Sequence, residues 1–318
     1  MTKENHNSRS IFHGFWALTN RDLKKWYKEP LLVFMSIIQP VLWMGLFGKA
    51  MNIGAIFTQN SINLSSLTLG IDPALLQDPK VITVLHALQN YISSPDFAKA
   101  IMLQTFGVSD YFSYIAVGML SFVVVFTAMF SGMSIVWDRR LGFLNKALST
   151  PVPRGTIIMS KVVNSVIRSL IQATIVIILA LLFGMQLSPS FTVLNLLGAF
   201  AAMFLLCLGL SSLFLAIAIR STKWETQMAV VNLLNLPLLF TSNALFPTAF
   251  MPDWLQTISK INPITYATDA ARQLLIDKTV TLGGIGPGHL LFDFAFLGGF
   301  ALIFASIGII LSVRYLSR

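Results

Sequence analysis

Residues 111–136 read YFSYIAVGMLSFVVVFTAMFSGMSIV, 26 positions without one charged side chain. A helix of about 20 apolar residues crosses the hydrocarbon core of a bilayer, and it satisfies its own backbone hydrogen bonds as it does so. The stretch reads as a membrane span, and the chain repeats the pattern on both sides of it. Upstream, a span is expected at about Leu31–Met51, opening after Pro30 and interrupted by Pro40. Downstream, spans are expected at about Ile157–Phe183, Leu194–Ile219, Met228–Leu245 and Leu290–Tyr315. The expected fold is an all-α polytopic membrane protein with six transmembrane helices.

Composition agrees. Of 318 residues, 55% are hydrophobic and 11% charged, with a mean hydropathy of +0.73. Soluble domains carry roughly 25% charged residues, so lipid is the main solvent. Residues 1–318 read as a single transmembrane domain with no room for a large soluble one. A net charge of +9 would suggest nucleic acid for a soluble protein. Here the positive-inside rule accounts for it, and membrane lipids, not nucleic acid, are the expected surroundings. With the N-terminus inside, cytoplasmic segments hold fourteen of the 22 lysines and arginines and external segments hold five. That asymmetry places both termini in the cytoplasm of a cell (inner) membrane protein.

The segments between spans have their own character. Residues 1–30 comprise a polar tail and then an amphipathic stretch, with Ile11, Phe12, Phe15, Trp16, Leu23, Trp26 and Tyr27 at helical spacing and Arg21, Lys24, Lys25 and Lys28 on the other face. This is an interfacial helix or a basic flank that sets topology. The apolar run that follows is too long for the core of a signal peptide. Residues 58–110 form an external loop with a helical stripe from Val81 to Ile92, and Ser94-Pro95-Asp96 then supplies an N-cap and an N1 proline.

Motifs for chemistry are missing. The four histidines are scattered, Cys207 is the only cysteine, and there is no phosphate-binding Gly-x-x-x-x-Gly-Lys-Ser/Thr loop. No catalytic, cofactor-binding or metal-ligating residue is expected, and energy input must come from a partner.

Two other stretches stand out. In the cytoplasmic loop 137–156, Asp138-Arg139-Arg140 precedes Leu141, Leu144 and Leu148, which fall on one face of a short helix ended by Pro151-Val152-Pro153. Such a helix fits a groove on another protein, or else it is a basic surface loop. In residues 247–289, Pro247, Pro252 and Pro263 break the helix, and Trp254, Leu255, Ile258 and Ile261 form an apolar stripe. Two short re-entrant helices fit this region, as does a packed external loop.

These features resemble the ABC type-2 permease family, most closely its daunorubicin-resistance-like branch of drug and lipid exporters. Gln39-Pro40, the Asp-Arg-Arg-Leu-Gly to Thr-Pro-Val-Pro-Arg loop, and Asn262-Pro263-Ile264-Thr265-Tyr266 with Arg272 stand in the family's order. The last is the most specific, carried by Pro263, Tyr266 and Arg272. Asp138 departs from the usual glutamate but keeps its charge. The resemblance implies that residues 138–150 couple to a nucleotide-binding ATPase subunit through Asp138, Arg139, Arg140, Leu141, Leu144 and Leu148. It implies a connecting helix at the N-terminus, an external hairpin at 252–272, and ATP and Mg held by the partner. Six spans being half a transporter, it also implies a second permease chain, as a homodimer. Asn164, Arg168, Asn232 and Asn235 are polar within spans and are candidates for the substrate pathway; bonding to neighbouring helices is the alternative for the asparagines. Lys161 is expected to snorkel from the cytoplasmic end of its span. A membrane-embedded enzyme is disfavoured by the lack of clustered His, Asp or Glu; an ATP-independent channel or structural membrane subunit is the other alternative.

Overall fold

The computed structural model describes residues 4–50, 78–106, 108, 110–150, 152–221, 223–276 and 290–315. The first part of the expected external loop (58–77) and the end of the expected hairpin (277–289) lie outside the described residues.

Among the described residues every regular element is a helix. Helix α1 (Glu4–Tyr27) is followed by α2 (Pro30–Trp43), which runs into a π-helical segment, Met44–Ala50. Then come α3 (Pro79–Ile92), α4 (Pro95–Phe106), α5 (Tyr111–Arg140), the short α6 (Phe143–Leu148), α7 (Arg154–Leu182) and α8 (Val193–Arg220). Helix α9 (Trp224–Phe240), a 3-10 turn at Thr248–Phe250, α10 (Asp253–Ser259), α11 (Pro263–Leu275) and α12 (Leu290–Tyr315) complete it.

Local chemistry starts these helices where the sequence suggests. The Asp110 carboxylate accepts from the Ser113 amide and hydroxyl at 2.7 Å each, which opens α5. Ser94 Oγ accepts from the Phe97 amide at 3.2 Å ahead of Pro95, as expected for the α4 N-cap. In α2, Pro40 lacks an amide hydrogen and crowds the carbonyl of Ser36. The helix widens into the π-helical segment one turn later.

Helices α5 and α8 form the centre. Nearly all of α5 is buried, and α7, α11, α12 and α2 pack around the pair. Gly118 lets α5 approach the chain closely: a Cβ there would stand 2.0 Å from the carbonyl oxygen of Ala244. Outward faces are apolar, as on α12 (Leu291, Leu302, Ile310), α2 (Leu31, Phe34, Met35) and α9 (Leu233, Leu236). Lipid tails or another apolar helix are the natural neighbours of such faces.

Among the described residues, five helices are long and apolar enough to cross a membrane: Val33–Ala50, Tyr111–Arg140, Arg154–Leu182, Val193–Arg220 and Leu290–Tyr315. The remaining expected span differs from its sequence reading. Instead of reaching Leu245, α9 has 17 residues and ends at Phe240. The reason is tertiary. Asn262 Nδ2 donates to the Leu238 carbonyl at 2.6 Å, and Arg272 takes the carbonyls of Asn243 and Ala244. A helix end needs partners for its last carbonyls, and side chains from α11 and its N-cap supply them here.

Candidate functional site

At one end of the bundle, α1, α5, α6 and α7 meet in an ion-pair network. Helix α5 does not stop at Val136 but continues to Arg140, so Asp138 and Arg139 belong to its last turns and not to a loop. Lys161 Nζ of α7 donates to Asp138 Oδ2 at 2.5 Å and to Asp22 Oδ2 of α1 at 3.3 Å. Arg21 bonds Asp22 at 3.0 Å and Asp138 at 3.3 Å, with its guanidinium 3.3 Å from the Phe143 ring centroid. One helix turn beyond Lys161, Asn164 Nδ2 donates to the Thr19 carbonyl at 3.3 Å.

This geometry corrects two expectations, for Lys161 and for the three leucines. Lys161 does not snorkel; only 4% of its side chain is exposed, and it is paired between two aspartates. Asn164 is buried and bonds α1, the alternative given for the asparagines. Leu141, Leu144 and Leu148 do not share one face. Gly142, at φ +72°, turns the chain between α5 and α6, leaving Leu141 outside the helix and 67% exposed. Leu144 is buried among Ile135, Val136, Ile157, Ile158 and Leu215, with Leu148 packed beside that cluster. The anchors expected to enter a partner's groove thus mostly fasten α6 to its own bundle.

The remaining coupling residues divide as well. Arg139 donates to the carbonyls of Ser221 at 2.6 Å and Ile219 at 2.9 Å, so it closes the end of α8. Arg140, Leu141, Asn145, Lys146 and Ser149 are exposed and form the outward edge of the α5–α6 corner.

At the other end, the hairpin motif holds α11 in the bundle. Asn262 caps α11 by accepting from the Ile264 amide at 3.0 Å, and Pro263 sits in its first turn. Tyr266 donates its hydroxyl to the Lys260 carbonyl at 2.5 Å and stacks on Phe296 of α12 at 3.9 Å. Arg272 is 1% exposed. It lies 3.5 Å over the Tyr114 ring and donates to the carbonyls of Asn243 (2.7 Å), Ala244 (2.9 Å) and Tyr114 (3.2 Å). A planar five-donor fork can serve several carbonyls at once, which a lysine cannot do. The two short helices expected here are present as α10 and α11.

Between these ends runs a polar chain that sequence reading missed. Thr127 Oγ1 of α5 donates to Gln172 Oε1 of α7 at 2.5 Å, and Gln172 Nε2 donates to Ser36 Oγ of α2 at 2.6 Å. Each residue is unremarkable alone, and only the packing brings them together. Of the other pathway candidates, Asn232 is exposed on α9, and Asn235 is half-buried with Oδ1 unbonded. Arg168 of α7 lies against Trp26, with no ion pair among the described residues.

The ycf38 transport permease of Porphyra purpurea is 29% identical over 270 residues, covering 84% of this chain and 75% of that protein. The ycf38 transport permease of Cyanophora paradoxa is 28% identical, covering 78% of this chain and 69% of its own length. The daunorubicin resistance ABC transporter permease protein DrrB1 of Streptomyces coeruleorubidus is 24% identical, covering 52% of this chain and 58% of that protein. The ABC-2 type transporter family profile matches residues 13–276, which takes in the α1–α7 network, the α5–α6 corner and the Arg272 clamp. The chain belongs to the ABC-2 type transporter family, as a multi-pass membrane subunit of an ABC transporter.

Proposed function

We propose that this chain is the permease of an exporter that moves a hydrophobic or amphiphilic substrate, such as a drug, lipid or glycolipid, out of the cytoplasm or the inner leaflet. Two such chains would work with two ATP-binding subunits that hold ATP and Mg. The observation that carries this reading is the α5–α6 corner. It is fixed from behind by the buried Leu144 and the Asp138–Lys161 pair, and it presents Arg140, Leu141, Asn145 and Lys146 outward. A rigid corner with a mixed apolar and basic edge suits transmission of motion from a docked partner. The similarity to a daunorubicin resistance permease supports export as the direction.

Charge reversal at that edge tests the docking. Arg140→Glu with Lys146→Glu is expected to weaken co-purification of the ATP-binding subunit by about tenfold or more and to make it salt-sensitive, since rim charges are screened. Lys223→Glu, exposed in the other loop on that side, is expected to do less. Full substrate-stimulated ATP hydrolysis in the double variant would remove the corner from the docking surface.

Orientation is tested separately. Single cysteines at the exposed Ser149 and Ser93, in a Cys207→Ser background, are expected to label from opposite sides of sealed vesicles. Labelling from the same side would overturn the proposal of six spans with cytoplasmic termini.

A further inference from the structure

Asp269 and Gln273 stand one turn apart on α11, and Asp293 lies in the first turn of α12. Gln273 Nε2 donates to Asp293 Oδ2 at 3.1 Å and, more weakly, to Asp269 Oδ2 at 3.5 Å. One side-chain amide thus serves two carboxylates from two helices. Asp293 is 5% and Gln273 9% exposed, and Asp269 is half-buried. On the same seam the Tyr266 ring stacks on Phe296 and lies 5.9 Å from Phe292, so aromatic packing flanks the pair.

No cation is bonded to either carboxylate among the described residues. Arg272 commits its terminal nitrogens to the carbonyls of Asn243, Ala244 and Tyr114. Burial raises the Asp269 carboxyl to about 6, against the opposing pull of the Arg272 charge and the Gln273 bond. The phenols that face the pair, Tyr114 of α5 and Tyr266, donate to the Asn243 and Lys260 carbonyls and stay neutral in acid. Helix α8 also packs here, but its titratable groups lie elsewhere: Cys207 beside Ser165, and Arg220 over Tyr315 at the far end of α12. Asp277, Lys278 and His289, between α11 and α12, lie outside the described residues. Two carboxylates that share one amide where water is scarce cannot both ionise cheaply, so the pair takes up a proton as acidity rises.

We propose that Asp269, Gln273 and Asp293 form a proton-operated latch between the α10–α11 hairpin and the last span. With a proton on the pair, α11 is held on α12; with both carboxylates ionised, their repulsion loosens the contact. Arg272 ties α11 to Tyr114, at the end of α5 opposite the α5–α6 corner, so the latch answers acidity on the side away from that corner. It goes beyond the export reading and does not depend on it, because opening of the hairpin is measured without ATP or transport.

A carboxyl that binds its proton more tightly in the closed state stabilises that state as pH falls. Raised from 3.8 to about 6, Asp269 alone makes opening about tenfold rarer at pH 5 than at pH 8. Hydrogen exchange of the purified full chain in detergent, read by mass spectrometry over residues 263–275 and corrected for intrinsic rates, tests this. Wild type is expected to protect the segment at least about tenfold more at pH 5 than at pH 8. Asp269→Asn with Asp293→Asn is expected to remove the dependence and to protect at pH 8 about as well as wild type at pH 5. Gln273→Glu puts a third carboxyl in place of the shared amide and is expected to lower protection at pH 8 by at least about threefold. His289→Gln is expected to keep the wild-type dependence. A flat wild-type profile overturns the latch, as does a dependence that survives the double variant or disappears in His289→Gln. Should the double variant fail to fold, Gln273→Glu decides, and unchanged protection at pH 8 overturns the latch.

Discussion

Arg272→Ala is expected to lower the thermal stability of the detergent-purified protein severely and to cut its accumulation in the membrane to a small fraction of wild type. The side chain is 1% exposed and donates to three backbone carbonyls, two of them in the non-helical chain just after α9. Its loss leaves the Ala244 carbonyl without that donor and takes the charged donor from the Asn243 and Tyr114 carbonyls, of which Asn243 keeps the Tyr114 hydroxyl; at about 1–3 kcal/mol for the bond lost outright and less for the others, the combined loss should reach about 3–5 kcal/mol. That is a large share of the roughly 5–15 kcal/mol by which domains are stable. Arg272→Lys keeps the charge, but its point-like ammonium cannot serve three carbonyls, so it is expected to recover less than half of the loss. Lys260→Ala, exposed at the end of α10, should stay within about 0.5 kcal/mol of wild type. A wild-type unfolding temperature for Arg272→Ala would show that the hairpin is held by other contacts.

Breaking the Asp138–Lys161 pair from one side is the second large effect. Their side chains are 7% and 4% exposed, so either one without the other is a buried charge held only by its longer pair, Asp138 to Arg21 or Lys161 to Asp22, each at 3.3 Å. Lys161→Met or Asp138→Leu is expected to destabilise by about 3–5 kcal/mol, whereas the combined variant should lose much less than the two singles together. Rescue should be partial, because Arg21 and Asp22 keep part of the network charged in the double variant. The measurement is a double-mutant cycle on thermal unfolding. Additive losses would mean that the two side chains act independently and that the network is incidental. Since the pair ties α1 and α5 to α7, the single variants are also expected to lose substrate-stimulated ATP hydrolysis when reconstituted with the ATP-binding subunit.

Much of the architecture was legible because hydropathy acts residue by residue. A run such as 111–136 has one stable form in lipid, and the caps Asp110, Ser94 and Asn262 act within three residues of themselves. The Pro263, Tyr266 and Arg272 pattern was visible too, though its purpose was not. What each residue bonds lies far along the chain: Arg272 reaches Tyr114 and Asn243, and Lys161 reaches Asp22 and Asp138. The leucines of the α5–α6 corner misled for a related reason. Helical spacing assigns Leu141, Leu144 and Leu148 to one stripe only if the helix is continuous, and Gly142 breaks it.

The sequence by itself determined the solvent, the helices and most of their ends. Burial of apolar side chains in lipid and local capping need no knowledge of the rest of the chain. The tertiary structure alone decided which polar residues face one another. It decided that Asp138 and Arg139 serve the permease's own packing, that α9 stops short of Leu245, and that Arg168 meets Trp26. A charged or polar group in a bilayer must find a partner, and which partner is set by helix packing between segments distant in sequence, a quantity that no local pattern contains.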